Sequence, residues 1–400
     1  MELRSVRVAA PDSPERVRLI GEVAYDDRPG CVEEYWFDVA QELAPFLSRS
    51  GNPWLVCLVP LAATLGEKLR IPLPVDRLLA RNVRELMGVW KSWYPALRDV
   101  HFELELADGP GDLQGNRVGS FFTGGVDSYF TALRSIEPGA VATDDLITVW
   151  GFDLPLADRA SFARRRERLS GIAEELGKRL VVVATNLRGT RLKEASWGRL
   201  SHGCALASIG HALEGRYRSV VIASTWSYEN LVPLGSHPLT DPLLSSSSME
   251  VVHDGATHNR FRKLEYIARS ESALRNLHVC FRAASDYNCG ACEKCMRTMA
   301  ILEVLGRLSP GGSFPGGRLD LSRYRRTYVK TARAEAYYEM IRSEAEARGR
   351  RDVVRATRRA VARSRLLRRL MAIPAWLAGR RGFWRAARPI RRALLARAIV

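Results

Sequence analysis

Apolar positions recur in this chain with two spacings. Between residues 117 and about 305, short apolar runs of strand length alternate with longer amphipathic stretches at helical spacing. The runs at 117–123, 145–153, 179–187 and 219–225 predict strands. The stretches at 127–136, 159–177 and 201–215 predict the helices between them. Such an alternation predicts an α/β fold, a doubly wound parallel sheet with helices on both faces. Ligands of such sheets bind beyond the carboxyl ends of the strands.

Residues 1–116 show a mixed pattern. Strands are expected at 17–25, 54–62 and 100–107, and helices at 33–47 and 76–94. No chemical motif occurs there, so the segment reads as an accessory α/β domain, with Trp36, Trp90 and Trp93 assigned to core or interface. The catalytic unit then spans 117–308. "SPGGSFPGG" at 309–317 reads as a linker, a helical stretch carries the chain to 346, and 347–400 forms a tail. No internal repeat is visible.

Charge sharpens this division. The 400-residue chain carries a net +17. Residues 347–400 contain 17 Arg, no Lys and a single acid, Asp352, which leaves +1 for everything else. The basicity belongs to an appendage, not to the core chemistry. Phe383, Ala387, Ile390, Leu394 and Ala398 share one helical stripe, and Arg381, Arg385, Arg388 and Arg392 another, with Pro389 interrupting. A basic amphipathic helical tail suits nucleic-acid phosphates, an anionic membrane surface or an acidic protein. The N-terminal stretch "MELRSVRVAAPDSPER" is charged throughout, and the longest apolar run, 53–66, is too short to span a bilayer. A soluble, cytoplasmic protein is expected.

The first candidate chemistry lies in "RVGSFFTGGVDSYFTAL", residues 117–133. Two adjacent glycines after an apolar strand let the backbone approach a ligand closely with its N–H groups exposed. Asp127 and Ser128 then stand where a helix N-terminus collects anions. Neither GxxxxGK[ST] nor GxGxxG occurs in the required setting, so the phosphate reading rests on this loop.

The second lies in "HVCFRAASDYNCGACEKCMRT". Cys280, Cys289, Cys292 and Cys295 give C-x8-C-x2-C-x2-C, with Gly290 permitting the tight turn. Four thiolates suit a structural tetrahedral zinc ion, and an iron–sulfur cluster or plain buried thiols are the alternatives.

Together, the [ST]-G-G-x-D-S loop after the first strand and the late cysteine cluster resemble the PP-loop ATP pyrophosphatase superfamily, a Rossmann-like fold. Within it they are most similar to the 7-cyano-7-deazaguanine synthases. The resemblance covers about residues 117–300. It implies cleavage of ATP to AMP and pyrophosphate with Mg²⁺. A substrate carboxylate or amide is adenylated and then attacked by ammonia or an amine. It implies Thr123, Gly124, Gly125, Val126, Asp127 and Ser128 as the pyrophosphate site, Asp153 as a nucleotide contact, Lys263 of "KLE" with Glu265 as a phosphate-reaching segment, and zinc on the four cysteines. The substrate segment departs from that family. "STWSYENLVPLGSHPLTDPLLSSSS" keeps Trp226, Tyr228, Glu229, His237 and Asp241 as candidate substrate contacts, but not the family motif. A carboxylate other than a deazaguanine fits equally. His202, His253 and Asp254 are further candidates, and Cys204 is the thiol a sulfur-transfer or tRNA-modifying relative would use. A nucleotide-sensing module acting through the tail is the non-enzymatic alternative, and an oligomer is compatible with all three.

Overall fold

The computed structural model describes residues 1–10, 13–108, 114–280 and 287–371. Strands β1 (Glu2–Ala9), β2 (Arg16–Ala24) and β3 (Val32–Ala40) form an antiparallel meander. Helix α1 (Asn52–Leu65), strand β4 (Leu69–Asp76), helix α2 (Arg77–Trp93) and strand β5 (Phe102–Ala107) follow, with β4 parallel to both β1 and β5. The alternating part is β6 (Arg117–Phe121), α3 (Val126–Arg134), β7 (Asp145–Trp150), α4 (Arg159–Glu175), β8 (Arg179–Thr185), α5 (His202–Ala212), β9 (Tyr217–Ala223) and β10 (Glu250–Asp254). All ten strands join one sheet in the order β10-β9-β6-β7-β8-β3-β2-β1-β4-β5. Strands β6 to β10 pair only in parallel with one another.

The strand order reverses at β6. From there the chain runs outward to β7 and β8, then returns to place β9 on the other side. With right-handed crossovers, α3 and α4 cover one face and α5 the other. The end of β6 is therefore the switch point where doubly wound sheets bind ligands.

The first 116 residues do not form a sheet of their own. β3 pairs with β8 at Phe37↔Thr185 and Asp38↔Ala184, and α1 packs on α5. A buried carboxylate ties the two halves further: Glu214 accepts from Ser48 Oγ (2.6 Å), Ser50 Oγ (2.8 Å) and Asn52 Nδ2 (3.1 Å). The compact units divide elsewhere. One comprises Met1–Thr123 and Asp127–Thr257, and the other Gly124–Val126 with the chain from His258 onward.

Two elements differ from their sequence expectations. Residues 54–62, expected as a strand, lie in α1. Every residue from Asn52 to Ala63 is buried, so the helix is apolar on all sides and shows no period. Pro53 opens it, and Gly66 closes it at φ 70°, a left-handed conformation that favours glycine. Residues 33–47, expected as a helix, form β3 and a 3₁₀ turn (Gln41–Phe46). Tyr35, Phe37 and Val39 alternate inward, and pairing on both sides by β2 and β8 outweighs the helical character of the composition. Gly21 of β2 is what admits α1: a methyl group there would stand 2.6 Å from the Trp54 ring.

The second unit is helical. It contains α6 (Arg260–Ile267), α7 (Glu271–Asn276), α8 (Glu293–Val304), α9 (Leu321–Tyr324), α10 (Glu335–Ala347) and α11 (Arg351–Met371). The arginine-rich segment thus begins as a packed helix. Val353, Ala360 and Leu367 are buried, Tyr324 donates to or accepts from Thr357 across 3.1 Å, and α11 lies along α10. Several of its arginines are neutralised locally, Arg350 by Glu303 (2.8 Å), Arg365 by Glu335 (2.6 Å), and Arg368 also by Glu335. The stripes at 381–398 lie outside the described residues.

Candidate functional site

The loop after β6 has the form its sequence requires. Phe122 N–H still donates to Ile147 O (2.8 Å), so β6 pairing ends one residue before the loop. Gly124 takes φ 75°, which a side chain would strain. Helix α3 begins at Val126, with Asp127 half-buried in its first turn and Ser128 buried. Ser128 Oγ accepts from Thr123 N–H at 3.3 Å and lies 3.4 Å from Thr123 Oγ1, so the helix start folds back on the loop entrance. Gly124 O accepts from His278 N–H (2.8 Å) within the second unit. The result is a strand, a left-handed glycine and a helix N-terminus, with an acid and a hydroxyl in the first turn. This arrangement directs backbone donors and a helix dipole to one point.

On the same edge of the sheet, two strands over, lies a second cluster. β9 and β10 run parallel to β6, so their carboxyl ends face the same way. Asp254, at the end of β10, accepts from Thr131 Oγ1 of α3 (2.6 Å) and pairs with Arg134, which fastens this edge to the helix leaving the loop. A pocket there is lined by Ser224, Trp226, Ser236, His237 and His253, among others. Asp241 is wholly buried and accepts from Ser236 Oγ (2.7 Å), His237 N–H (3.1 Å) and His253 Nδ1 (2.7 Å). His237 Nδ1 accepts from Leu239 N–H (3.0 Å), and its ring meets Trp93 edge to face at 4.9 Å. Burial, then the nearby His253, pull His237 below its ordinary value, with Asp241 acting the other way.

The structure sorts the substrate candidates. Trp226 and His237 line this pocket, and Asp241 organises it from beneath. Tyr228 and Glu229 sit in a short 3₁₀ turn and are exposed. Asp153 is also exposed, beyond the end of β7. His202 opens α5 beside the Trp197 ring (5.3 Å); burial holds it below its ordinary value, opposed by Asp241 and Asp153. Cys204 is 1% exposed, and burial pushes its thiol well above the ordinary range. A thiol so placed stays protonated and is a poor nucleophile.

In the second unit, Lys263 is 1% exposed on α6, while Glu265 pairs with Arg262 (2.7 Å) and Arg348 (2.9 Å).

The four cysteines converge. Their Sγ atoms all lie within 4.8 Å of one another, with 280–292 at 3.8 Å, 289–295 at 3.9 Å and 292–295 at 3.4 Å. Four sulfurs around one zinc at about 2.3 Å would stand about 3.8 Å apart. Cys289 Sγ accepts from Ala291 N–H (3.4 Å) and Cys292 N–H (3.2 Å), and Gly290 turns at φ 63°. Cys292 caps α8, which carries Cys295 in its first turn. The hydrogen bond with Cys292, then burial, push the Cys295 thiol up. Asn288, buried and unremarked in the sequence, braces the knuckle. It accepts from Val279 N–H (2.8 Å) and donates to Leu277 O (2.7 Å) and Ser313 O (2.9 Å). The set can hold a tetrahedral metal ion.

No helix among the described residues is long and apolar enough to cross a membrane. Comparison with family models, with curated proteins and with solved structures gives no match.

Proposed function

We propose that the protein is an ATP-dependent enzyme of the PP-loop kind, cleaving ATP to AMP and pyrophosphate to activate a substrate carboxylate or amide. One observation carries this reading: the TGGVDS loop joins β6 to α3 at the switch point of the parallel strands, with Gly124 in the left-handed conformation. Departing pyrophosphate gains charge as the bond to the α phosphorus breaks. The backbone donors of the loop and the N-terminus of α3 stabilise that charge where it grows. Ser128 Oγ positions the loop entrance, and the Asp127 carboxylate is the group at the loop suited to Mg²⁺ accompanying ATP. The acyl adenylate is then attacked by ammonia or an amine, as in the 7-cyano-7-deazaguanine synthases. Zinc on the four cysteines stabilises the second unit and takes no part in the chemistry. The buried thiol of Cys204 speaks against sulfur transfer. The test is pyrophosphate release from ATP by wild type and Asp127→Ala, with and without 7-carboxy-7-deazaguanine and ammonium. Release that disappears in Asp127→Ala supports the reading. Release unaffected by that substitution overturns it.

A further inference from the structure

The pyrophosphate chemistry leaves two groups unused at the pocket beyond β9 and β10, an aspartate and, in front of it, a histidine that lines the pocket. The first is Asp241, wholly buried and bonded, among the described residues, to a hydroxyl, a backbone N–H and an imidazole. No Arg or Lys pairs with it among the described residues. A buried carboxylate without a cation is costly and attracts one. The second is His253, whose side chain is 3% exposed. Because the Asp241 carboxylate accepts, the neutral ring donates from Nδ1 and presents a lone pair at Nε2. Among the described residues, that Nε2 has no hydrogen-bond partner, and His253 lines the pocket. The cavity measures about 10 Å³, room for one molecule of water size. Gly203, in the first turn of α5, makes the arrangement possible: a methyl group there would lie 2.6 Å from Asp241 Oδ1. The start of α5 adds its positive end to the surroundings of the carboxylate.

We propose that the His253–Asp241 pair is an ammonium site, which binds the nitrogen nucleophile and removes its proton. The ligand must be small, must donate hydrogen bonds to a bare imidazole nitrogen, and must be positive to balance Asp241. Ammonium meets all three conditions; potassium has the charge and the size but no hydrogen to donate. In the step, an N–H bond of ammonium breaks and its proton goes to His253 Nε2. The imidazolium then forms an ion pair with Asp241, so the net charge of the pocket is unchanged. The freed lone pair of ammonia attacks the acyl carbon, a C–N bond forms, and the C–O bond to AMP breaks, with AMP taking the electron pair. The adduct loses one further proton to solvent. β10 is two strands from β6, about 10 Å across the sheet on the same edge.

The catalytic role of this site rests on the adenylation reading, but binding does not. The experiment uses the full chain with ¹⁵N-labelled histidine, whose ring nitrogens are followed by NMR during titration with ammonium chloride. Potassium chloride at equal ionic strength is the control. The His253 resonances are those lost in His253→Gln, a substitution that keeps an amide N–H available to Asp241. Expected are a bare Nε2 in the free protein and a saturable Nε2 shift with ammonium, absent with potassium. No saturable ammonium-specific shift, or a neutral ring with the proton on Nε2, would overturn the site. If His253→Gln fails to fold, the ring signals that shift in Asp241→Asn, where an amide replaces the carboxylate at His253 Nδ1, supply the assignment, and the wild-type titration decides. Pyrophosphate release is measured separately. Release that survives Asp127→Ala with the ammonium shift intact sinks the adenylation reading, and Asp127-dependent release without the shift sinks this one.

Discussion

Among the described residues two aspartates are fully buried, one at the amino end of a strand and one in the loop past the carboxyl ends, and they are solved differently. Asp145, at the amino end of β7, is flanked by Arg117 (2.9 Å) and Arg216 (2.6 Å) and also accepts from Tyr217 (3.1 Å). Its charge is more than balanced. Burial alone would raise its carboxyl; the bonds from Arg216 and Arg117 more than offset that and hold it below the usual range. Asp241, past the carboxyl ends, has a histidine where Asp145 has two arginines. An arginine never gives up its proton, so the first site can only hold structure together. An imidazole can, so the second can do chemistry. The same residue type, equally buried, is a rivet at one edge and a base's partner at the other.

Breaking the rivet should have the largest effect on stability. Asp145→Ala leaves Arg216 buried without its anion and is expected to cost about 3–5 kcal/mol, read by chemical denaturation. Asp127→Ala is the opposite case. It should lower pyrophosphate release by about 10²–10³-fold, the scale for losing one group that stabilises developing charge, while the melting temperature stays close to wild type. Asp145 also gives a pH signature. Its folded pKa lies below the unfolded value of about 3.9, so its contribution is complete above that value and is lost as the pH falls through the lower folded one. Acid unfolding of Asp145→Asn should lack that component. Gly203→Ala, whose methyl group would stand 2.6 Å from both Asp241 Oδ1 and the backbone carbonyl of Gly235, should lower the melting temperature and the ammonium response together, read by a thermal melt beside the NMR titration. The smallest effect belongs to Cys204→Ala, about 1 kcal/mol in stability with pyrophosphate release unchanged. A large loss of release there would revive sulfur transfer.

How far the sequence announced these sites follows from how local each one is. The backbone form of TGGVDS was legible because strand, glycine pair and helix start are consecutive in the chain. The cysteines were legible because their spacing alone brings sulfurs together, yet Asn288, which braces them, carries no motif. The Asp241–His253 pair was not legible as a pair. Both residues stood out singly, but they meet through a loop and a strand 12 residues apart, and no periodicity encodes that contact. Helix α1 failed for a physical reason as well: a helix buried on every side loses the pattern that identifies it. β3 carried a helix-like composition and was decided by partners at residues 184 and 185.

Those partners bear on how the chain is made. Without β3, strand β8 would be an outer strand of a parallel sheet, its backbone groups open to any passing chain. Parallel sheets form slowly, because their contacts join distant residues. The meander of β1, β2 and β3 is built from neighbours in sequence and is synthesised before β8. It gives β8 a partner at Phe37 and Asp38 that is already made when that strand appears, and so covers backbone groups that would otherwise stand open.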